Sequence, residues 1–312
     1  MKNHDKRTSR KESRGTDKNR AKMKNLLVSF SGGETSAFMA QWLKRHYKNL
    51  GYEKICFVFA NTGQENEQTL IFTEQCDKEY NLGVVWVEAK VTQERGKGVR
   101  HRVVNFKSAS RNGEPFEDVI KKLGITNHPN PFCTRDTKLA PIESYVKDLF
   151  NGEKFATAIG IRVDEVDRIS SSRKDRNIIY PLITSVPMSK QKVNFWWSKQ
   201  PFRLELKGYQ GNCKTCWKKS DFKLYQLAKE DVTQFGFMDR MEEKYGRVGY
   251  EFERDPKAKN RTFFRNHRST QDIIRESRDW GGFVRDDSLD VNDQLRMFDS
   301  ESCEIYSNCG DL

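Results

Sequence analysis

Leu26-Leu27-Val28-Ser29-Phe30-Ser31-Gly32-Gly33-Glu34-Thr35-Ser36 decides the reading of this chain. Leu26 to Phe30 form a short apolar run with the character of a buried strand. Phe38, Met39, Trp42, Leu43 and His46 then recur at helical spacing. A small-residue loop therefore joins a buried strand to a helix N-terminus, where unpaired N–H groups and the positive end of the helix dipole attract an anion. Gly32 and Gly33 let the backbone approach that anion closely, and Ser31, Thr35 and Ser36 add hydroxyls. The loop lacks the lysine and the glycine spacing of the ordinary P-loop, and it lacks the third glycine of the dinucleotide fingerprint.

Outward from this loop, apolar runs alternate with helical patterns. Ile55 to Ala60 and Val84 to Val87 read as strands, Glu67 to Tyr80 as a helix, a basic insertion follows, then a helix from Asp136 to Leu149 and a strand from Phe155 to Gly160. Such alternation predicts an α/β fold with a mostly parallel sheet and helices on both faces, which binds ligands at the C-terminal ends of its strands. Beyond Pro187 the pattern turns helical and irregular. The expected division is a basic, disordered tail over residues 1–24, a nucleotide-binding domain over 25–186, and a smaller, mainly helical, cysteine-containing region over 187–312.

Three separated segments carry a family resemblance over roughly residues 25–220. The Ser31–Ser36 loop resembles the SGGxDS loop of the PP-loop ATP pyrophosphatases and sulfonucleotide reductases, with Thr35 where many members have aspartate. Asn61-Thr62-Gly63-Gln64-Glu65-Asn66-Glu67-Gln68-Thr69 is similar to the NTGxExxxT segment of the phosphoadenosine phosphosulfate (PAPS) reductase family, and Ala158-Ile159-Gly160-Ile161-Arg162-Val163-Asp164-Glu165 with Arg168 to its GxRxxES…R element. The resemblance implies an adenine-nucleotide α-hydrolase-like fold. Ser31, Gly32, Gly33, Glu34, Thr35 and Ser36 would then hold phosphates. Asn61, Thr62, Gly63, Glu65 and Gly160 would shape the nucleotide pocket, and Arg162 and Arg168 would neutralise phosphate or sulfate.

Seven cysteines in 312 residues are too few and too unevenly placed for a disulfide scaffold. Cys56 sits in an apolar strand and Cys76 on a helix face, and both read as core. Cys133, in Pro131-Phe132-Cys133-Thr134-Arg135-Asp136-Thr137-Lys138, is followed after 79 intervening residues by Cys213-Lys214-Thr215-Cys216. Adenosine phosphosulfate (APS) reductases hold a 4Fe-4S cluster with a Cys-Cys pair and a Cys-x-x-Cys at about this separation. Three of those positions are cysteine here, and Phe132 stands in place of the first. A three-thiolate cluster leaves one iron open, as in the PP-loop tRNA thiolation enzymes that this arrangement resembles. A structural zinc knuckle is the alternative for Cys213 and Cys216. Lys138 resembles the lysine of the reductase cysteine segment and would bridge cluster and substrate. Asn308-Cys309-Gly310 partly resembles the ECGxH ending of sulfonucleotide reductases, so Cys309 is a candidate nucleophile or fourth cluster ligand, and Cys303 a further ligand.

The resemblance thus implies two activities. One binds ATP with magnesium, adenylates an acceptor and replaces AMP with sulfur from the cluster. The other binds APS or PAPS, and Cys309 releases sulfite, with a thiol reductant protein as partner. A nucleotide-binding module without turnover is the third reading. Of the net charge of +12, +7 falls within residues 1–24. That segment reads as a solubilising tail or as an arm for a DNA or RNA acceptor. Arg95, Lys97, Arg100, His101, Arg102 and Lys107 form a second basic patch in what reads as a loop by the site. No apolar run approaches a membrane span and no signal segment is visible, so the expected location is cytoplasmic, without membrane contact.

Overall fold

The structure is a computed structural model that describes residues 23–94, 96–211, 213–249 and 251–291. Six strands, β1 (Asn25–Phe30), β2 (Lys54–Ala60), β3 (Val84–Val91), β4 (Val99–Val104), β5 (Phe155–Ala158) and β6 (Ile178–Ile179), form one sheet in the order β4-β3-β2-β1-β5-β6. All pairings are parallel except β3 with β4. The expected α/β architecture is thus present. Helices α1 (Glu34–His46), α2 (Glu67–Tyr80), α3 (Glu114–Leu123) and α4 (Ala140–Leu149) lie between the first five strands, and α5 (Pro181–Thr184) and α6 (Lys190–Trp197) follow β6.

Alternation within the strands sorts side chains between two apolar layers, because successive residues of a strand point to opposite faces. Leu26, Val28, Phe30, Phe57 and Phe59 face a core shared with Phe38, Met39 and Leu43 of α1 and Phe72 of α2. Leu27, Val58 and Val87 face the opposite core with Ile142 and Val146 of α4. Every residue of β1 is buried, as the central strand of a sheet covered on both faces must be. Cys56 and Cys76 are buried in these layers, and burial pushes the Cys56 thiol up to about 12, so both are core residues.

The basic insertion contains β4, an edge strand rather than a loop. Glu88 and Arg102 are direct cross-strand partners and form an ion pair in which the Glu88 side chain is fully buried. The charged residues of Val99-Arg100-His101-Arg102-Val103-Val104 mask the strand pattern in the sequence. The helix expected over Asp136–Leu149 begins instead with a π-helical turn at Thr134–Leu139. Pro141 supplies no N–H for the α-type bond to residue 137, and a wider turn accommodates the loss.

A second core gathers Phe116 and Ile120 of α3 with the helical C-terminal part, which comprises α7 (Asp221–Glu230), α8 (Gly236–Tyr245), α9 (Glu251–Arg254) and α10 (Thr270–Asp279). The apolar cores cut across the expected division at residue 186, because Val193 and Trp197 of α6 pack in the sheet core while α3 packs in the second. No helix among the described residues is long and apolar enough to cross a membrane.

Trp197 is 1% exposed, packs on Phe72 with ring centroids 5.0 Å apart, and donates from Nε1 to the Glu34 carbonyl at 2.9 Å. Trp197→Ala is expected to cost about 3–5 kcal/mol, the usual loss for a buried tryptophan. Urea unfolding followed by circular dichroism measures it, and a loss below about 1 kcal/mol would contradict this packing.

Candidate anion and thiol site

The loop after β1 and the loop after β5 diverge from adjacent strands, so the switch point of the sheet lies between them. Gly32 takes φ +79°, and a Cβ there would lie 2.5 Å from the Thr69 methyl. Both facts require glycine. Gly33 is the N-cap of α1 in an ordinary extended conformation (φ −102°, ψ 159°) and offers no side-chain acceptor to the first turn. Ser36 organises the loop from within. Its Oγ accepts from the Ser31 amide at 3.2 Å and the Ser31 hydroxyl at 2.9 Å, and donates to the Gly33 carbonyl at 2.9 Å. Across the switch point, a Cβ on Gly160 would lie 3.3 Å from Ser36 Cα, so Gly160 acts by letting the post-β5 loop rest on α1.

A cavity of about 150 Å³ opens at this point, lined by Ser31, Gly33, Glu34, Thr35, Ser36 and Arg162 together with residues of the 190–211 segment and Ser288. Arg162 is 9% exposed and donates from Nη1 to Thr35 Oγ1 at 3.0 Å, so the threonine holds the arginine. Asp164 takes Arg162 Nε at 3.1 Å and Glu165 lies 3.2 Å from Nη2. Arg168 does not line the cavity; it pairs with buried Glu165 at 2.6 Å, behind Arg162.

Sequence reasoning missed the cations that the C-terminal part adds. Lys190 and Lys207 line the cavity, and Arg203 grips both oxygens of Glu34 at 3.0 Å. Lys190 pairs with Asp287, and Lys207 with Glu230 at 2.8 Å, a bond that raises the lysine above its ordinary range. Burial pushes the Glu34 carboxyl above its usual value, against the opposing pull of Arg203. Glu34 thus clamps the C-terminal segment onto the loop. The visible signal was Ser189, an N-cap residue ahead of the aromatic Phe195-Trp196-Trp197 run; it accepts from the Lys192 amide.

Asn61, Thr62, Gly63 and Glu65 do not line the cavity. Asn61 Nδ2 donates to buried Glu88 at 2.7 Å, and the Thr62 amide donates to Glu65 at 2.8 Å. Gly63 takes φ +76° and a Cβ there would lie 2.7 Å from the Gly113 amide nitrogen. This turn receives the Cys-x-x-Cys segment: Glu65 and Cys213 form an antiparallel bridge, the Lys214 amide donates to the Gln64 carbonyl at 2.9 Å, and Asn66 Nδ2 donates to the carbonyl of cavity-lining Gly211 at 2.9 Å.

The result is a thiol site beside the anion cavity. Lys138 Nζ lies 3.6 Å from Cys213 Sγ and 3.7 Å from Glu65 Oε1, and Cys213 Sγ lies 3.8 Å from the same carboxylate oxygen. The Cys133 segment docks on the Cys216 side, where Lys218 Nζ donates to Thr134 Oγ1 at 3.2 Å. Among the described residues, no group of three or more His, Cys, Asp or Glu side chains is gathered for a metal ion. Phe132, next to Cys133, is 8% exposed and packs with Ala89 and Val119. Cys303, Cys309 and residues 1–22 of the basic tail lie outside the described residues. In the second basic patch Arg100 pairs with Asp148 at 3.0 Å and His101 Nδ1 lies 2.9 Å from Ser144 Oγ; Arg95 lies outside the described residues.

No family model matches the chain. An uncharacterized nin region protein of Escherichia phage lambda, ORF290, is 32% identical over 208 residues, which span 66% of this chain and 70% of the phage protein. The chain belongs to the ORF290 family. An uncharacterized protein of Methanocaldococcus jannaschii, MJ0066, is 25% identical over 177 residues, 56% of this chain and 30% of the archaeal protein. Both relatives are described as uncharacterized, so membership of the ORF290 family assigns no activity.

The two loop glycines separate in a simple test. Gly32→Ala is expected to lose at least about 2 kcal/mol, from a left-handed non-glycine residue plus the clash with Thr69. Gly33→Ala, in extended backbone, is expected to lose about 1 kcal/mol or less. Equal losses in urea titrations would refute this assignment of the loop geometry.

Proposed function

We propose that this chain is a PP-loop enzyme that binds ATP in the cavity at the β1/β5 switch point, adenylates an acceptor, and passes sulfur to it from the adjoining cysteine site. The single observation that carries the reading is the convergence of the α1 N-terminus, Arg162, Lys190 and Lys207 on one cavity next to the Cys213 thiol. Amides and cations of this kind suit a polyphosphate, and fixed donors cost no reorganisation as charge builds up on a leaving pyrophosphate. An acceptor oxygen attacks the α-phosphorus, pyrophosphate leaves, and a sulfur nucleophile then displaces AMP. Arg162, held by Thr35, Asp164 and Glu165, orients the phosphates. Lys138 donates to Cys213 Sγ and so positions the thiol, which in turn donates to Glu65. Glu65 holds the cysteine turn in place.

Magnesium would enter with the ATP. Cys133, Cys213 and Cys216 are the residues that would hold a 4Fe-4S cluster, which when bound would supply an open iron for sulfide; Cys309 as a fourth ligand would close that position. The donor chemistry suits iron, or zinc as the alternative. The thiols are not gathered into a ligand set among the described residues, so no step is routed through the cluster. The acceptor is a nucleic acid, recruited by the basic arm of residues 1–24. Sulfonucleotide reduction by Cys309 and binding without turnover are the competing outcomes.

An anaerobic preparation incubated with ATP, magnesium and nucleic acid is expected to release pyrophosphate, and Arg162→Ala to lower the rate at least tenfold, as the loss of one charge-stabilising donor does. Wild-type sulfite release from APS or PAPS that depends on thioredoxin and is lost in Cys309→Ser would replace this reading with the reductase. Nucleotide binding without pyrophosphate, sulfite or modified product would leave a binding module. Iron and sulfide analysis of the same preparation, expected to give close to four irons per chain, tests the cluster; stoichiometric zinc would exclude it as the sulfur source.

A further inference from the structure

The chain after α10 returns across the anion cavity as a short acidic turn, Asp286-Asp287-Ser288-Leu289-Asp290. We propose that this turn is a strap that closes the cavity by placing Asp287 on Lys190, where a ligand's anionic charge would sit, and that binding of the nucleotide's phosphates displaces it. The inference rests on the polyphosphate reading of the cavity.

Every anchor of the strap comes from the segment that lines the cavity. Lys190 Nζ pairs with Asp287, and both side chains are mostly buried. Asn194 Nδ2 donates to the Asp290 carbonyl at 2.6 Å, Arg203 Nη2 to the Ser288 carbonyl at 2.8 Å, and the Gly208 amide to Asp286 Oδ1 at 2.9 Å. A Cβ on Gly208 would lie 1.8 Å from Asp287 Oδ1, so glycine is required for the carboxylate to sit there. Ser288 itself forms part of the cavity wall. The turn also holds its own shape: the Ser288 amide donates to Asp286 Oδ1 at 3.0 Å and Arg285 pairs with Asp290 at 2.7 Å. It is therefore able to leave as a unit.

Charge gives the reason for it to leave, because a polyphosphate bound at Lys190 repels the Asp287 carboxylate and offers the lysine a stronger partner. The strap thereby lowers the apparent affinity by the fraction of molecules in which it is open.

Titration calorimetry of the full chain with pyrophosphate and with ATP tests this, alongside amide hydrogen exchange of residues 284–291. Asp287→Asn and Asp287→Ser are expected to bind ATP on the order of tenfold more tightly than the wild type, with circular dichroism melting that shows both variants folded. Exchange across the turn is expected to accelerate when ATP is added to the wild type. Wild-type ATP binding that neither variant tightens, or a turn whose exchange ATP leaves unaltered, overturns the strap while the cavity reading stands. Absence of ATP and pyrophosphate binding from the wild type and both variants overturns the cavity reading, and the strap with it.

Discussion

Glu34 occupies the first turn of α1, and Arg203 holds both its carboxylate oxygens while Trp197 holds its carbonyl. These contacts span some 170 residues and fix the C-terminal segment over the β1–α1 loop. Without them Lys190 and Lys207 would have no defined position relative to the helix N-terminus, and the cavity would be an open notch at the sheet edge. The clamp is mostly buried, with 13% and 23% of the Glu34 and Arg203 side chains exposed. Removing one partner of such a pair costs more than the pair contributes, because the other charge stays desolvated. That asymmetry makes the clamp a determinant of where the segment docks rather than a large source of stability.

The parts of this arrangement that were legible in the sequence are those set by local rules. The β1 run, the glycine loop and the amphipathic α1 follow from periodicity and backbone freedom, and the structure keeps them within a residue or two. Gly32 and Gly33 look equivalent in sequence, yet only Gly32 adopts positive φ, and the Thr69 methyl that leaves no room for a Cβ there comes from α2. The β4 strand was hidden by its arginines, whose counterions Glu88 and Asp148 lie on β3 and α4. Arg203, Lys190 and Lys207 carry no local signature; their roles exist only once the chain has returned to α1. Asn61, Thr62 and Glu65 are polar residues at a strand end, and sequence alone does not distinguish lining a pocket from bracing the turn beside it.

That bracing has its own consequence. Glu65 is bonded to Thr62 on one side and faces Lys138 and Cys213 on the other, so the end of β2 sets the position of a thiol. Asn66 meanwhile ties the same turn to Gly211 at the cavity wall. The two halves of the site therefore meet at the C-terminal ends of β1 and β2, joined by the Glu65–Cys213 bridge and by the side chain of Asn66.

Charge balance gives the site its remaining logic. Each cation at the cavity is already matched: Arg162 with Asp164 and Glu165, Lys207 with Glu230, Lys190 with Asp287. Cations confined in a half-buried cavity need such partners, since an uncompensated buried charge is expensive. The partners are not equivalent, however. Asp164 and Glu165 lie within three residues of Arg162 and are built into its own turn, so they orient the guanidinium without depending on any other segment. Asp287 reaches Lys190 from a segment 97 residues away. The first kind of partner is fixed by local geometry; the second depends on a distant turn that Asn194, Arg203 and the Gly208 amide hold in place. The cavity thus draws its charge balance from both kinds of partner, one set by the local turn and one by the return of the chain.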